Sequence, residues 1–238
     1  MRKKSMIITG ASRGIGRELS IYFGNKGYNL LLIARTETCL QEVQNKVLTN
    51  NPSLIINYLA TDIYTQEPLG EAIHQFYNVC EGIDVLINNA GYVKRGTSAL
   101  PSNELEEMIN TNLIGSINMI RFIVPKMKQS QSGNIINICS RNAKTPRSFL
   151  GGYAATKAAL LAYSESLYKE LSPSGIKVTA LCPGFVDTEM TQDIEVERDK
   201  LIQPSEICKS IEFILSLSKA VAIRELNFES IIQVGEYC

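Results

Sequence analysis

The chain has 238 residues, of which 45% are hydrophobic and 20% charged, and its 24 Lys+Arg balance 24 Asp+Glu. This composition describes a globular protein with a substantial core and excludes a disordered or fibrous chain. A formal net charge of zero argues against bulk electrostatic binding to nucleic acid or an anionic membrane.

No apolar run approaches the roughly 20 residues that a spanning helix needs. The opening Met1-Arg2-Lys3-Lys4 is followed only by Met6-Ile7-Ile8, too short an apolar run for a signal peptide. Cys39, Cys80, Cys139, Cys182, Cys208 and Cys238 form no CxxC pair, and His74 is the one histidine. The expectation is reduced thiols in a cytoplasmic protein, with no metal site and no disulfide framework. Cys238 is also in the wrong place for a prenylation box.

The first predicted strand, 6–9, runs into Thr9-Gly10-Ala11-Ser12-Arg13-Gly14-Ile15-Gly16 and then a helix over 14–26. A glycine-rich turn there lets backbone N–H groups approach a phosphate at the helix N-terminus. The spacing is neither GxGxxG, since Leu19 stands where the third glycine would fall, nor a Walker loop. A second strand, 29–34, ends at Arg35, with no acid before Glu37. An acid at that point would hold a ribose 2′-hydroxyl, whereas an arginine suits a 2′-phosphate. Arg35, with Arg13 from the turn, therefore points to NADP(H) rather than NAD(H).

A helix over 37–50, a strand at 54–60, a helix over 68–80 and a strand at 83–87 follow. The next helical pattern is one long stretch, 103–128, whose apolar stripe of Leu105, Met108, Ile109, Leu113, Ile117 and Ile120 is interrupted by Asn112. A buried Asn must satisfy its hydrogen bonds, either structurally or by holding a water. A fifth strand, 134–139, ends at Ser140, whose hydroxyl can steady a substrate oxygen or a tyrosine, or cap a turn.

The helix over 151–171 places Tyr153 and Lys157 on one face, in a stripe that continues through Leu160, Ser164, Leu167 and Leu171. A lysine facing the sheet is costly without a partner or a task. One task is to favour tyrosinate; moving a phenol from about 10 to near 7 takes roughly 4 kcal/mol, to which the ammonium and a bound nicotinamide's positive ring would both contribute. A sixth strand, 176–181, leads to a patternless stretch, 184–203, expected to be a functional substrate loop. A helix over 205–218 and a strand at about 223–228 close the pattern. Alternating strands and helices predict an α/β fold: a single Rossmann-type domain, 1–238, with a doubly wound parallel sheet of about seven strands covered by helices on both faces.

Taken in order, Gly10, Gly14, Ile15 and Gly16, Asp62, Asn88-Asn89-Ala90-Gly91, Asn112, Ser140, Tyr153 with Lys157, and Pro183-Gly184-Phe185-Val186 with Thr188 resemble the short-chain dehydrogenase/reductase family over nearly the whole chain. The stretch 183–191 is most similar to 3-oxoacyl-[acyl-carrier-protein] reductases. The resemblance implies an NADP-dependent oxidoreductase with Asn112, Ser140, Tyr153 and Lys157 as its catalytic set. In that scheme Tyr153 is the general acid, Ser140 orients the carbonyl, Lys157 tunes the tyrosine and binds the nicotinamide ribose, and Asn112 holds a relay water. Ser12 and Arg13 in the turn, Asp62 and Ile63 at the adenine, Asn89, Ala90 and Gly91 beside the ribose, and Pro183, Gly184, Val186 and Thr188 at the carboxamide would complete the cofactor site. The implied activity is reduction of a small-molecule ketone or aldehyde by a homodimer or homotetramer. The alternatives are a 3-oxoacyl thioester reductase and a non-catalytic NADPH-binding sensor or scaffold. An acyl-carrier partner is not favoured, because 126–132 is only mildly basic and 172–174 carries no cation.

Overall fold

Continuous apolar segments make inner strands buried on both faces, and the computed structural model, which describes residues 2–231, joins them with two half-buried edge strands into one sheet. Cys238 and Ile232 lie outside the described residues. The strands are β1 (Ser5–Thr9), β2 (Asn29–Ala34), β3 (Ile56–Ala60), β4 (Val85–Asn88), β5 (Gly133–Ile138), β6 (Ile176–Pro183) and β7 (Glu225–Phe228). They pair in the order β3-β2-β1-β4-β5-β6-β7, every pairing parallel. The strand period of two sends successive side chains to opposite faces. Met6, Ile8, Leu30 and Leu32 pack with Leu19, Phe23, Leu40, Val43, Ile207 and Ile211 on one side. Ile7, Leu31 and Leu86 pack with Ile73, Phe76, Ile123 and Leu167 on the other.

The helices supplying those residues are α1 (Gly14–Asn25), α2 (Glu37–Asn50) and α7 (Pro204–Ser216) on the first face, and α3 (Gln66–Cys80), α5 (Gly115–Ser130) and α6 (Gly151–Leu171) on the second. The long helix expected over 103–128 is divided. α4 (Ser102–Ile109) passes through a π-helical turn, Asn110–Ile114, into α5. Such wide turns gather at functional positions, and this one carries Asn112.

Strand β3 starts at Ile56, later than expected, because Leu54 N–H closes a turn on Asn51 and Ile55 N–H is taken by the Asn29 side chain. β1 and β4 are neighbours, yet their outgoing connections leave toward opposite edges of the sheet. Such a reversal opens a crevice at the C-terminal strand ends, where ligands bind in doubly wound sheets. No helix among the described residues is long and apolar enough to cross a membrane.

Candidate active site

A cleft of about 1040 Å³ occupies that crevice. Its floor is the turn after β1. Thr9 Oγ1 accepts from the backbone N–H groups of Asn89 and Ala90, both at 3.0 Å. The Asn89 amide donates back to the carbonyls of Thr9 and Gly10 at 2.9 and 3.2 Å. Asn89 thus locks the β4 end onto the glycine-rich turn as well as lining the cleft. Gly10 has φ +65°, and a Cβ there would sit 2.9 Å from Ala90 Cα. At Gly16 a Cβ would meet the Gly10 carbonyl at 2.1 Å. Gly16 therefore packs α1 against the turn and does not line the cleft, unlike Gly10, Ser12, Arg13, Gly14 and Ile15. The first N–H groups of α1 have no helical partners, and no acid stands in its first turn.

At the β2 end Arg35 lines the cleft together with Asp62 and Ile63. Its guanidinium already has two acidic neighbours, Asp62 at 3.8 Å and Glu107 on α4 at 3.6 Å. Glu107 has no signal in the sequence, since 72 residues separate it from Arg35 and only the fold brings them together.

The other end of the cleft holds Ser140, Tyr153 and Lys157, all buried. Ser140 follows β5 and accepts from the Asn142 N–H at 3.1 Å, capping the short turn Arg141–Ala143. The Lys157 ammonium lies 5.9 Å from the centre of the Tyr153 ring and donates to the Ile138 carbonyl at 2.8 Å. Asn112 is fully buried and outside the cleft lining. Its amide nitrogen donates to the Tyr92 carbonyl at 2.9 Å and to Thr156 Oγ1 at 3.0 Å, while its oxygen accepts from the Tyr92 N–H at 2.7 Å. Both amide hydrogens are committed, so toward a water this side chain can only accept. Asn112 Oδ1 and Lys157 Nζ converge on Gly91, each 3.6 Å from where a Cβ would stand.

Burial dominates the electrostatics. It pushes the Tyr153 phenol up to about 12, with the Ser140 hydroxyl pulling the other way. It also lowers the Lys157 ammonium below its ordinary range. The chain's own groups thus keep the phenol protonated, and the downward pull expected of a bound nicotinamide's positive ring is not among them. A neutral phenol is a proton donor, which suits reduction. Cys139 and Cys182 are buried beside this end, and a hydrogen bond with Cys182 together with burial holds the Cys139 thiol well above its ordinary value. His74 is exposed on α3, 3.1 Å from the Asn78 amide.

The segment 184–203 divides in function. Its first part, with Gly184, Val186, Thr188, Met190 and Ile194, lines the cleft after Pro183. Its second part folds back: Val186 bridges to Ile202, and Arg198 pairs with Asp187 at 3.1 Å. Ala90 and Gly91 complete the lining beside Asn89. Phe185 and Glu189 fall within the expected loop and line the cleft, whereas Tyr92 as a wall residue and Thr156 as the partner of Asn112 had no signal in the sequence, although Thr156 adjoins Lys157.

The cleft fits a dinucleotide: a glycine cradle that a Cβ would fill, a helix N-terminus with no acid in its own first turn, and a buried ammonium with one hydrogen bond among the described residues. Comparison with known proteins agrees. A family model described as short chain dehydrogenase matches residues 4–199. An uncharacterized oxidoreductase of Staphylococcus saprophyticus is 30% identical over 232 residues, 95% of this chain and 97% of that protein. The ketoacyl reductase HetN of a Nostoc species is 32% identical over 200 residues, 83% of this chain and 69% of its own. A solved betaketoacyl-[ACP] reductase (FabG) from Bacteroides thetaiotaomicron superposes with a TM-score of 0.86 at 31% identity, over 99% of this chain and 100% of that one. An alcohol dehydrogenase from Thermococcus sibiricus, solved with 5-hydroxy-NADP, gives 0.86 at 27% identity, over 96% and 97%.

Proposed function

We propose, from the premise that the chain belongs to the short-chain dehydrogenase family, that its cleft reduces a ketone or aldehyde with Tyr153 as general acid. The protein is an NADPH-dependent oxidoreductase acting on carbonyl or hydroxyl groups. When bound, the reduced dinucleotide supplies the hydride. The observation that carries the reading is the placement of Tyr153, Ser140 and Lys157 at one end of a cleft whose other end is the glycine-rich turn and Arg35.

Each residue then has a task. The α1 N-terminus and Arg13 meet the pyrophosphate, and Arg35 turns from its two acids to the 2′-phosphate. Asp62 and Ile63 border the adenine, and Asn89, Ala90 and Gly91 border the ribose. Lys157 presents its remaining N–H donors to ribose hydroxyls. Pro183, Gly184, Val186 and Thr188 form the wall beside the carboxamide. Ser140 donates to the substrate oxygen, and Tyr153 gives that oxygen its proton as negative charge develops there. Asn112 fixes the Tyr92 backbone and Thr156, and through them the wall around Lys157.

A 3-oxoacyl thioester is the second substrate reading, supported by the two ketoacyl reductases among the relatives. A scaffold that binds NADPH without turnover has less support, since both members of the Tyr–Lys pair are present and buried. A cytoplasmic homo-oligomer fits the exposed Ile109 and Ile114 around the π turn and Phe213 on α7. The test is NADPH oxidation at 340 nm with acetoacetyl thioesters against free aldehydes, ketones and diketones. Turnover of either group supports the reductase reading and identifies the substrate class; no oxidation across the panel overturns it.

A further inference from the structure

Two large apolar side chains of the cleft lining, Phe149 and Met190, are 45% and 50% exposed. Neither stands on a loosely held backbone. The Phe149 carbonyl accepts from Gly96 N–H at 2.8 Å, and the Ser148 carbonyl accepts from the Thr97 hydroxyl, whose oxygen takes the Gly151 N–H at 3.1 Å. Met190 lies in the short turn Glu189–Thr191. There Thr191 N–H donates to the Thr188 carbonyl at 3.1 Å, and Thr191 Oγ1 donates to the Val186 carbonyl at 2.6 Å. The backbone thus presents both side chains at the cleft without help from any core contact of their own.

The apolar wall continues inward to the reacting end. Leu150, next to Phe149, packs with Tyr153, and Val93 packs against that pair. Ile194 adds to the lining from the same segment as Met190. The polar groups beside the phenol are few, Ser140 and Asn142, enough to fix one carbonyl. The charges in this half of the lining are accounted for. Lys94 is held by Glu104 at 3.3 Å, and Asp193 is exposed. Arg95 and Arg147 lie over the rings of Phe149 and Phe185, 5.7 and 4.1 Å from their centres. A fixed, exposed apolar surface that leads to a reacting group has a use once a ligand covers it.

We infer that the carbonyl substrate carries an apolar group, an alkyl chain or an aromatic ring, which covers Phe149 and Met190 while its carbonyl stands at Tyr153. This rests on the reductase reading and narrows its substrate class. Phe149 and Met190 are then specificity-determining residues, and each methylene they cover adds up to about fourfold in affinity. The unbranched methionine adjusts to a chain or a ring.

The test is a ligand-observed NMR titration of the full chain saturated with NADP+, where no turnover occurs. The probes are butan-2-one, octan-2-one and 4-phenylbutan-2-one. Octan-2-one or 4-phenylbutan-2-one binds at least about tenfold tighter than butan-2-one, and the tighter of the two identifies a chain or a ring. Phe149→Gln and Met190→Gln each bring that ratio toward one, while Met190→Leu, which stays apolar, preserves most of it. Equal binding of all three ketones overturns the proposal, as does a preference that survives both glutamine substitutions. NADPH oxidation with the same ketones separates the two readings. A preference that depends on Phe149 and Met190, without oxidation by any ketone, defeats the reductase reading alone. Oxidation by the ketones without a binding preference for the larger ones defeats this inference alone.

Discussion

The Lys157 ammonium donates at 2.8 Å to the carbonyl of Ile138, two residues before Ser140, and so ties α6 to the strand end that bears the serine. Among the described residues this is the one hydrogen bond of a nearly fully buried cation. Burying a charge with so little compensation is costly. Lys157→Met, which keeps the length and apolar stem, should therefore stabilise the fold by about 1 kcal/mol, or about 2–4 °C in Tm. It should also lower kcat at least about a hundredfold. Thermal unfolding and NADPH oxidation on the same preparation check both; a destabilised variant would mean that the ammonium is held for structure.

Arg35 should separate the two cofactors. Arg35→Ala should weaken NADPH much more than NADH, by roughly 1.5–3 kcal/mol if a charged hydrogen bond to the 2′-phosphate is lost. Glu107→Gln removes a competing acid, so it should tighten NADPH, by less than about 1 kcal/mol because Arg35 is mostly exposed and screened. The gain should fade as salt is added. Fluorescence titration of both cofactors at low and high ionic strength measures these changes.

Asn112 should prove structural in its side chain. Asn112→Ala leaves the Tyr92 N–H and carbonyl without their partner and should cost about 1–3 kcal/mol. Thr156→Val removes the other contact, and a double-mutant cycle by urea unfolding should give a coupling of at least about 0.5 kcal/mol.

The phenol of Tyr153 also makes stability depend on pH. Its folded value of about 12 lies above the ordinary 10.0, so folding favours the neutral form. That contribution is whole below pH 10 and is lost as pH rises from 10 toward about 12. The difference in urea midpoint between the wild type and Tyr153→Phe should therefore be flat through neutral pH and change across that alkaline window. Reduction should show no loss from Tyr153 ionisation between pH 6 and 9 in the free enzyme, about one unit or more below its range.

The sheet was readable because its inner strands, β1, β2, β4, β5 and β6, are buried on both faces, and α2 and α6 begin and end where their patterns do. The helix over 103–128 read as continuous because apolar periodicity barely registers one widened turn, yet Asn110–Ile114 widens there. The glycine turn, Ser140, Tyr153 and Lys157 were legible since each stands at a strand end or a helix stripe. The Glu107–Arg35 pair and the stacking of Arg147 on Phe185 were not, because each joins segments distant in sequence. The depth at which Tyr153 is buried was not legible either, because helical spacing conveys nearness to Lys157 but not burial.

The most direct measurement compares wild type and Tyr153→Phe in NADPH oxidation at 340 nm with the best carbonyl found, alongside NADPH binding by fluorescence. Phenylalanine preserves the ring and removes only the hydroxyl. Turnover should fall at least about a hundredfold while NADPH remains bound. A variant that retains most of the wild-type rate would show that another group delivers the proton and would contradict the account.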